Sequence, residues 1–413
     1  MTPAQILSQS FRLPNGTILK NRLVKSAMSE ALGTPEGSPD VRLERLYGRI
    51  AAGGIGLSIT GNVMIDGGAL GEPGNVVIEG ERDLEALRRW AVAGQQQDSK
   101  LWVQINHPGK QAPRGLNRET VAPSAIPFRP DLARFFATPR ELRSEEIEGI
   151  IERFAVAARV VKKAGFGGVQ IHGAHGYLVS QFLSPHHNQR RDEWGGSAPH
   201  RRRFVLAVLK AMREQVGPEF PIGIKLNSAD FQRGGFSEEE SIETIQALAQ
   251  AGIELVEISG GTYEAPVMTG KTKVKDSTQA REAYFLEFAE KARAAIQVPL
   301  VVTGGFRTAE GMASAIASGA VDLVGLARSI AVEPDLPAKL MGGIPAAHPI
   351  KPLSTGIKAI DRMGFLEIVF YAYQLGRMGQ GLDPLPDRSV LAALASKALH
   401  SGWNGLRLRR LRA

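Results

Sequence analysis

His172 and His175 lie three residues apart, and Tyr177 follows two positions later. The surrounding stretch QIHGAHGYLVSQFLSPHHNQ, residues 170–189, holds four of the eight histidines in the chain, so the cluster is not a matter of composition. Three uses suit such a pair. Zinc would take both imidazoles, but zinc catalysis also wants a third ligand and a carboxylate base. Glu and Asp are absent from most of the polar strand ends named below. A histidine pair can also sit satisfied in a protein wall. The third use fits the residue types best: two imidazole donors hold one substrate oxygen and stabilise the charge that develops on it. Tyr177 is then a proton donor from the same loop. His186 and His187 are read as loop structure.

Other polar residues recur at the ends of apolar runs. They are Ser26 and Ser29, Gly61 and Asn62, Gln104 and Asn106, Lys225 and Asn227, Ser259, Thr303 and Arg328. The stretch VVTGGFRT offers the bare amides of Gly304 and Gly305 before a helix predicted to start near Thr308. LVGLARSI places Arg328 just after another run. Glycine amides followed by an arginine at the next strand suit a phosphate group.

These positions make sense only if a fold brings strand ends to one mouth. The candidate strands cover 22–28, 56–62, 101–107, 167–173, 221–228, 255–261, 300–305 and 323–328. Each is rich in Val, Ile and Leu with little alternation, as in parallel strands buried on both faces. Amphipathic stretches such as SEEIEGIIERFAVAARVVKKAG and EEESIETIQALAQAG lie between them. Gly53, Gly165, Gly252 and Gly319 are expected to end helices in a left-handed cap. Eight strands, each followed by a helix, predict an α/β fold, a (β/α)8 TIM barrel. A doubly wound sheet would show fewer strands and a Gly-rich fingerprint after the first. A Pro-rich excursion from about 108 to 143 follows the third strand and is expected to wall or cover the site. Residues 1–345 are assigned to the barrel and 346–413 to a helical, basic C-terminal extension. Its apolar piece, 365–375, predicts a helix docked on the barrel or on a second subunit, which allows a homo-oligomer.

Composition narrows the function. Of 413 residues none is cysteine, which excludes disulfides, iron–sulfur clusters and cysteine nucleophiles. The net charge is +8, but residues 345–413 hold ten Lys/Arg against four Asp/Glu, so the body is close to neutral. A nucleic-acid-binding body would carry a basic face. The last seven residues, RLRRLRA, read as a solvated basic tail. No apolar run reaches the length of a membrane span. The first residues lack a signal-peptide pattern, so a cytoplasmic protein acting on a small molecule is expected.

The motifs LKNRLVKSAMS, GLSITGNVMID, WVQINHPGKQ, GGVQIHGAHGYLVSQFLSPHHNQRRDEWGGS, IKLNSADF, EISGGTYE, VVTGGFRT and LVGLARSIAVEPDLP resemble, in order, those of the old yellow enzyme family of FMN-dependent NAD(P)H:flavin oxidoreductases. The resemblance covers roughly residues 5–345. It implies bound FMN, with NADH or NADPH as electron donor. It places Ser26, Ala27, Met28 and Ser29 along the flavin, Gly61 beside the ring and Gln104 at the pyrimidine edge. It places Lys225 near the N1/C2 carbonyl region, and Gly304, Gly305, Ala327 and Arg328 at the phosphate. His172 and His175 would bind the carbonyl oxygen of an activated alkene, and Tyr177 would protonate its α-carbon. The larger relatives with an iron–sulfur cluster are excluded by the missing cysteines. Three rivals remain: amine oxidation or demethylation on the same scaffold, a phosphate-binding aldolase or isomerase with Lys225 as Schiff-base lysine, and a non-catalytic scaffold binding partners through its tail.

Overall fold

A computed structural model of the chain describes residues 1–262, 264–265, 285–350, 352–357, 361 and 366–396. Eight parallel strands form its centre: β1 (Leu23–Lys25), β2 (Leu57–Met64), β3 (Lys100–Asn106), β4 (Gly168–Gly173), β5 (Ile222–Asn227), β6 (Leu255–Ser259), β7 (Leu300–Thr303) and β8 (Leu323–Leu326). Each pairs with the next, and β8 pairs with β1 through Gly325↔Val24, which closes the barrel. The (β/α)8 expectation holds. The first strand is shorter than the sequence suggests, because the chain leaves the sheet after Lys25.

The connecting helices are α1 (Val41–Ala52), α2 (Leu84–Gly94), α3 (Ser144–Lys163), α4 (Ala198–Val216), α5 (Glu238–Gln250), α6 (Leu286–Ala295) and α7 (Ala309–Ala317). In α3 the buried residues Ile147, Ile150, Phe154, Ala157, Ala158 and Val161 recur at three- and four-residue steps, so one stripe faces the barrel. Glu145 and Glu146 in its first turn and Lys162 and Lys163 in its last complement the helix dipole. A reciprocal pair of bonds between Ser237 and Glu240 starts α5. Gly165, Gly252 and Gly319 take positive φ as expected. Gly53 does not. Its φ is −72°, and the left-handed residue is Gly54. Gly53 is needed for space, since a Cβ there would lie 1.9 Å from the carbonyl oxygen of Pro334.

Most of the core lies between strands and helices. A second cluster of Leu13, Leu19, Val24, Leu57, Ile59, Trp102, Leu255, Val301 and Leu323 fills the barrel interior. The strand pair Phe11–Arg12 and Ile18–Leu19 contributes to it. The barrel is therefore plugged below.

The predicted excursion after β3 is present. Its short strands Val121–Ala122 and Arg140–Glu141 pair in parallel. Arg190, the residue just before the run Arg191-Asp192-x-x-Gly195-Gly196, ties it down by donating to the carbonyls of Pro123 (3.1 Å) and Leu142 (2.5 Å) while pairing with Asp192. Arg190 and Asp192 together act as a clamp. Beyond β8 follow α8 (Arg328–Val332), α9 (Leu336–Met341) and α10 (Leu366–Gly379). The last of these packs on α1 and α8 of the same chain. The arginine-rich final residues lie outside the described ones. Among the described residues no helix is long and apolar enough to cross a membrane.

Candidate active site

A cavity of about 270 Å³ opens at the C-terminal ends of the strands, where barrels of this class place their chemistry. Of the residues singled out from the sequence, Ala27, Met28, Ser29, Gln104, His172, His175, Tyr177, Lys225, Gly304, Gly305, Ala327 and Arg328 line it. So do Asn62, Ser259 and Thr303. Leu132 reaches it from the excursion, as a wall of the site.

Ser26 and Gly61 lie one layer behind. The Ser26 hydroxyl meets Thr303 Oγ1 at 2.7 Å inside the barrel. Gly61 backs onto the 26–30 segment: a Cβ there would lie 2.3 Å from the carbonyl oxygen of Met28 and 2.0 Å from Glu30 Oε2. Its amide donates to Glu30 Oε1 at 2.8 Å. Tyr47 donates to the same carboxylate, and Lys25 Nζ donates to Tyr47 Oη and the Ile59 carbonyl, each at 2.8 Å. Burial lowers Lys25 to about 8, with Lys225 adding repulsion against the pull of Glu30 and Glu257. This buried trio props up the 26–30 segment. Sequence reasoning missed it.

The floor of the cavity is a polar belt. Gln104 donates to Gln170 (2.7 Å), and Gln170 donates to Glu257 Oε2 (2.8 Å). Glu257 Oε1 accepts from Thr303 (2.7 Å) and pairs with Lys225 Nζ (3.0 Å). Since the Thr303 hydrogen is spent on Glu257, Ser26 must donate to Thr303. Glu257, with no exposed surface, was also overlooked. The signal was available: a lone carboxylate in the middle of an otherwise apolar strand. Burial pushes its carboxyl up, yet Lys225, Thr303 and Gln170 outweigh burial and hold it below the usual range.

This belt predicts the outcome of removing Lys225. Lys225→Met leaves Glu257 charged, buried and without its cation, a change that typically costs about 3–5 kcal/mol. Urea denaturation of the cofactor-free protein should show that loss, and adding Glu257→Gln should recover most of it. Equal stability of the single variant and the parent would remove this account of the belt.

The imidazoles form a chain. His175 Nε2 lies 2.8 Å from Ser259 Oγ, and His175 Nδ1 lies 3.2 Å from His172 Nε2. His172 Nδ1 lies 2.7 Å from Asn62 Oδ1, and Asn62 Nδ2 donates to Tyr177 Oη at 3.2 Å. With the amide in this orientation both rings are neutral, and each hydrogen points from Ser259 toward Asn62. Burial, with Lys225 and the neighbouring ring adding repulsion, holds His172 well below 6.5. Burial and Lys225 lower His175 to about 3. The turn that aims His175 is strained, at φ 61°, a region L-residues enter at a cost. Asn227 pins it, its Oδ1 accepting from the His175 amide at 3.1 Å.

The far end of the cavity is cationic. Gly304 and Gly305 have φ of 114° and 101°, a turn other residues resist, so their backbone stays bare. Arg307 and Arg328 stand beside it, together with Glu367, Ile368 and Tyr371 from α10. Elsewhere, His186, His187 and Glu264 come within metal-ligand reach of one another. The ammonium of Lys110 already sits 3.2 Å from that carboxylate.

Residues 9–347 match the NADH:flavin oxidoreductase / NADH oxidase family. A NADH-dependent flavin oxidoreductase of Hypocrea jecorina is 37% identical over 349 residues, covering 79% of this chain and 86% of that protein. Among solved structures, the old yellow enzyme homologue from Zymomonas mobilis is similar, with a TM-score of 0.70 and 25% identity over 82% of this chain and 93% of that one. Morphinone reductase in complex with tetrahydroNAD gives a TM-score of 0.69 and 25% identity, covering 84% of this chain and 93% of that one.

Proposed function

Since this chain belongs to the NADH:flavin oxidoreductase / NADH oxidase family, we propose that its cavity residues hold FMN and reduce an electron-poor acceptor, with an α,β-unsaturated carbonyl as the acceptor class. The protein is an FMN-dependent oxidoreductase with NADH as electron donor. Two observations fit the cofactor. The Ser29 hydroxyl is buried at the cavity with no hydrogen-bond partner among the described residues, so a flavin heteroatom there would satisfy it. The glycine turn at 304–305 with Arg307 and Arg328 beside it offers amides and cations to a phosphate.

When bound, FMN supplies hydride transfer from NADH to the acceptor, chemistry no side chain can perform. The chain supplies position and charge. Lys225 brings a cation to the cavity for the pyrimidine edge of the ring system, Gln104 brings an amide beside it, and Ala27, Met28 and Ser29 form a wall. His175 Nδ1–H is a donor for the acceptor's carbonyl oxygen. His172 becomes a second donor when the Asn62 amide turns over, since its Nδ1 then accepts and its proton moves to Nε2. Tyr177 gives a proton to the acceptor carbon.

The observation that carries the reading is the convergence of His172, His175, Tyr177 and Lys225 on one cavity. The rivals fit less well. Lys225 is engaged by Glu257 in a buried ion pair, a poor arrangement for a Schiff-base nucleophile. The cationic side chain of Lys225 in the same cavity favours a carbonyl oxygen over an amine cation.

The test is the visible spectrum of the purified protein. We expect flavin bands bleached anaerobically by NADH and restored by an enone. A colourless protein that takes up no added FMN would sink the proposed site. A protein bleached by NADH but restored only by oxygen would leave the flavin and remove the acceptor class.

A further inference from the structure

The family match ends at residue 347, yet Glu367, Ile368 and Tyr371 line the cavity. All three belong to α10, in the extension whose role the sequence left open. We propose that α10 is a built wall of the cofactor's phosphate end, in which Glu367 is a positioning residue for the guanidinium of Arg328. This rests on the reading of the cavity as an FMN site.

Glu367 Oε2 lies 3.4 Å from Arg328 Nη1, with the two side chains 11% and 19% exposed. A guanidinium has five donors in a planar fork. A carboxylate on one edge fixes the plane in which the rest of the fork points. Arginine is otherwise rich in rotamers, and ordering it at the moment of binding weakens affinity. Arg328 opens α8, so fixing its side chain fixes the cation beside the glycine turn.

Tyr371 closes the same end. Burial and the nearby Glu367 raise its phenol to about 12, against the opposing pull of Arg328 and Arg307. It therefore keeps its proton at neutral pH and stands near both arginines as a neutral donor. A phenolate there would neutralise the cations that attract phosphate.

The wall is rigid. Leu366, Phe370, Leu375 and Met378 of α10 are buried in the main core. Gln374, fully buried, clasps the backbone of Leu385, accepting from its amide at 2.7 Å and donating to its carbonyl at 2.8 Å. Arg49 of α1 donates to the Leu382 carbonyl at 3.1 Å and pairs with Asp383. A loosely tethered tail would show none of these bonds.

Glu367 acts in two opposed ways, by fixing Arg328 and by repelling an anion. The guanidinium stands between the two negative groups if the proposal is right, so positioning wins. Release of FMN and of riboflavin from full-length protein separates the possibilities, since riboflavin lacks the phosphate. With flavin fluorescence as readout, Glu367→Ala should speed FMN release about tenfold, the scale of one lost charge-assisted contact. Glu367→Gln, which keeps an acceptor but not the charge, should fall between Ala and the parent. Riboflavin release should be unchanged in both. The Gln variant keeps the question open to measurement should the Ala variant not fold. Equal acceleration for both flavins would mean damage to the helix alone and would overturn the proposal. Unchanged FMN release would overturn it too, and slower release would mean that repulsion dominates. A parent protein that binds neither flavin would instead remove the site reading itself.

Discussion

Tyr177→Phe is expected to slow reduction of an enone by about 10²–10⁴-fold, the usual contribution of a positioned general acid. Reduction of the flavin by NADH should be unaffected, because no proton from Tyr177 is needed there. The geometry supports the assignment. The phenol lines the cavity, beside the His172 ring at 4.6 Å between ring centres, with its oxygen 3.2 Å from Asn62 Nδ2. Asn62→Asp sharpens the test. A carboxylate there offers only acceptors, so it competes for the hydrogens of both Tyr177 and His172. It should slow the same half-reaction and spare the other. Stopped-flow traces of each half-reaction decide. If Tyr177→Phe leaves acceptor reduction intact, the proton comes from elsewhere.

The second large effect is on stability in mild acid. His107, His172, His175 and His187 are all held below 6.5, with burial the largest cause in each. His107 is lowered to about 4, and its Nδ1 accepts from the Gly109 amide at 3.1 Å, a bond only the neutral ring can make. The folded protein thus refuses protons that the unfolded chain accepts. The neutral rings favour folding fully above pH 6.5, and that advantage is lost as pH falls toward the folded values. Each fully walled-in ring costs roughly 2 kcal/mol between pH 6.5 and 5. His175 faces the cavity, so water there reduces its share. Urea midpoints against pH should show about three protons taken up on unfolding near pH 5.5. His187→Gln should remove one of them. A flat profile between pH 6.5 and 5 would contradict the burial of these rings.

Much of the fold was legible because each strand is a continuous apolar run and each helix a periodic one. The eight strands stand where Val, Ile and Leu cluster. Much of the site followed, because parallel barrels expose the ends of their strands and the polar residues there are few. What escaped is informative. Glu257 and Glu30 act through partners on distant strands and helices, and no spacing in the chain announces those contacts. Gly53 and Gly54 looked alike, and only the approach of Pro334 separates a glycine needed for space from one needed for its turn. The stretch RRDEWGGS carries part of the resemblance, and nothing in its spacing announces that Arg190 and Asp192 fasten a loop. The contact of α10 with Arg328 depends on how a helix docks, which periodicity alone does not give.

The barrel's closure has a consequence for synthesis. Ser26 bonds Thr303, Val24 pairs with Gly325, and Arg49 waits for the backbone around Leu382. The first strand to leave the ribosome therefore finds its second neighbour only when the eighth is made. The cover of α1 arrives later still, with α10. Chains emerge at roughly 5–20 residues per second, so the N-terminal third spends many seconds with apolar edges unpaired. Contacts spanning so much of the chain also fold slowly. The polar belt that joins Gln104, Gln170, Glu257, Lys225 and Thr303 is likewise incomplete until the seventh strand is made, which makes the waiting half-barrel a natural client for chaperones.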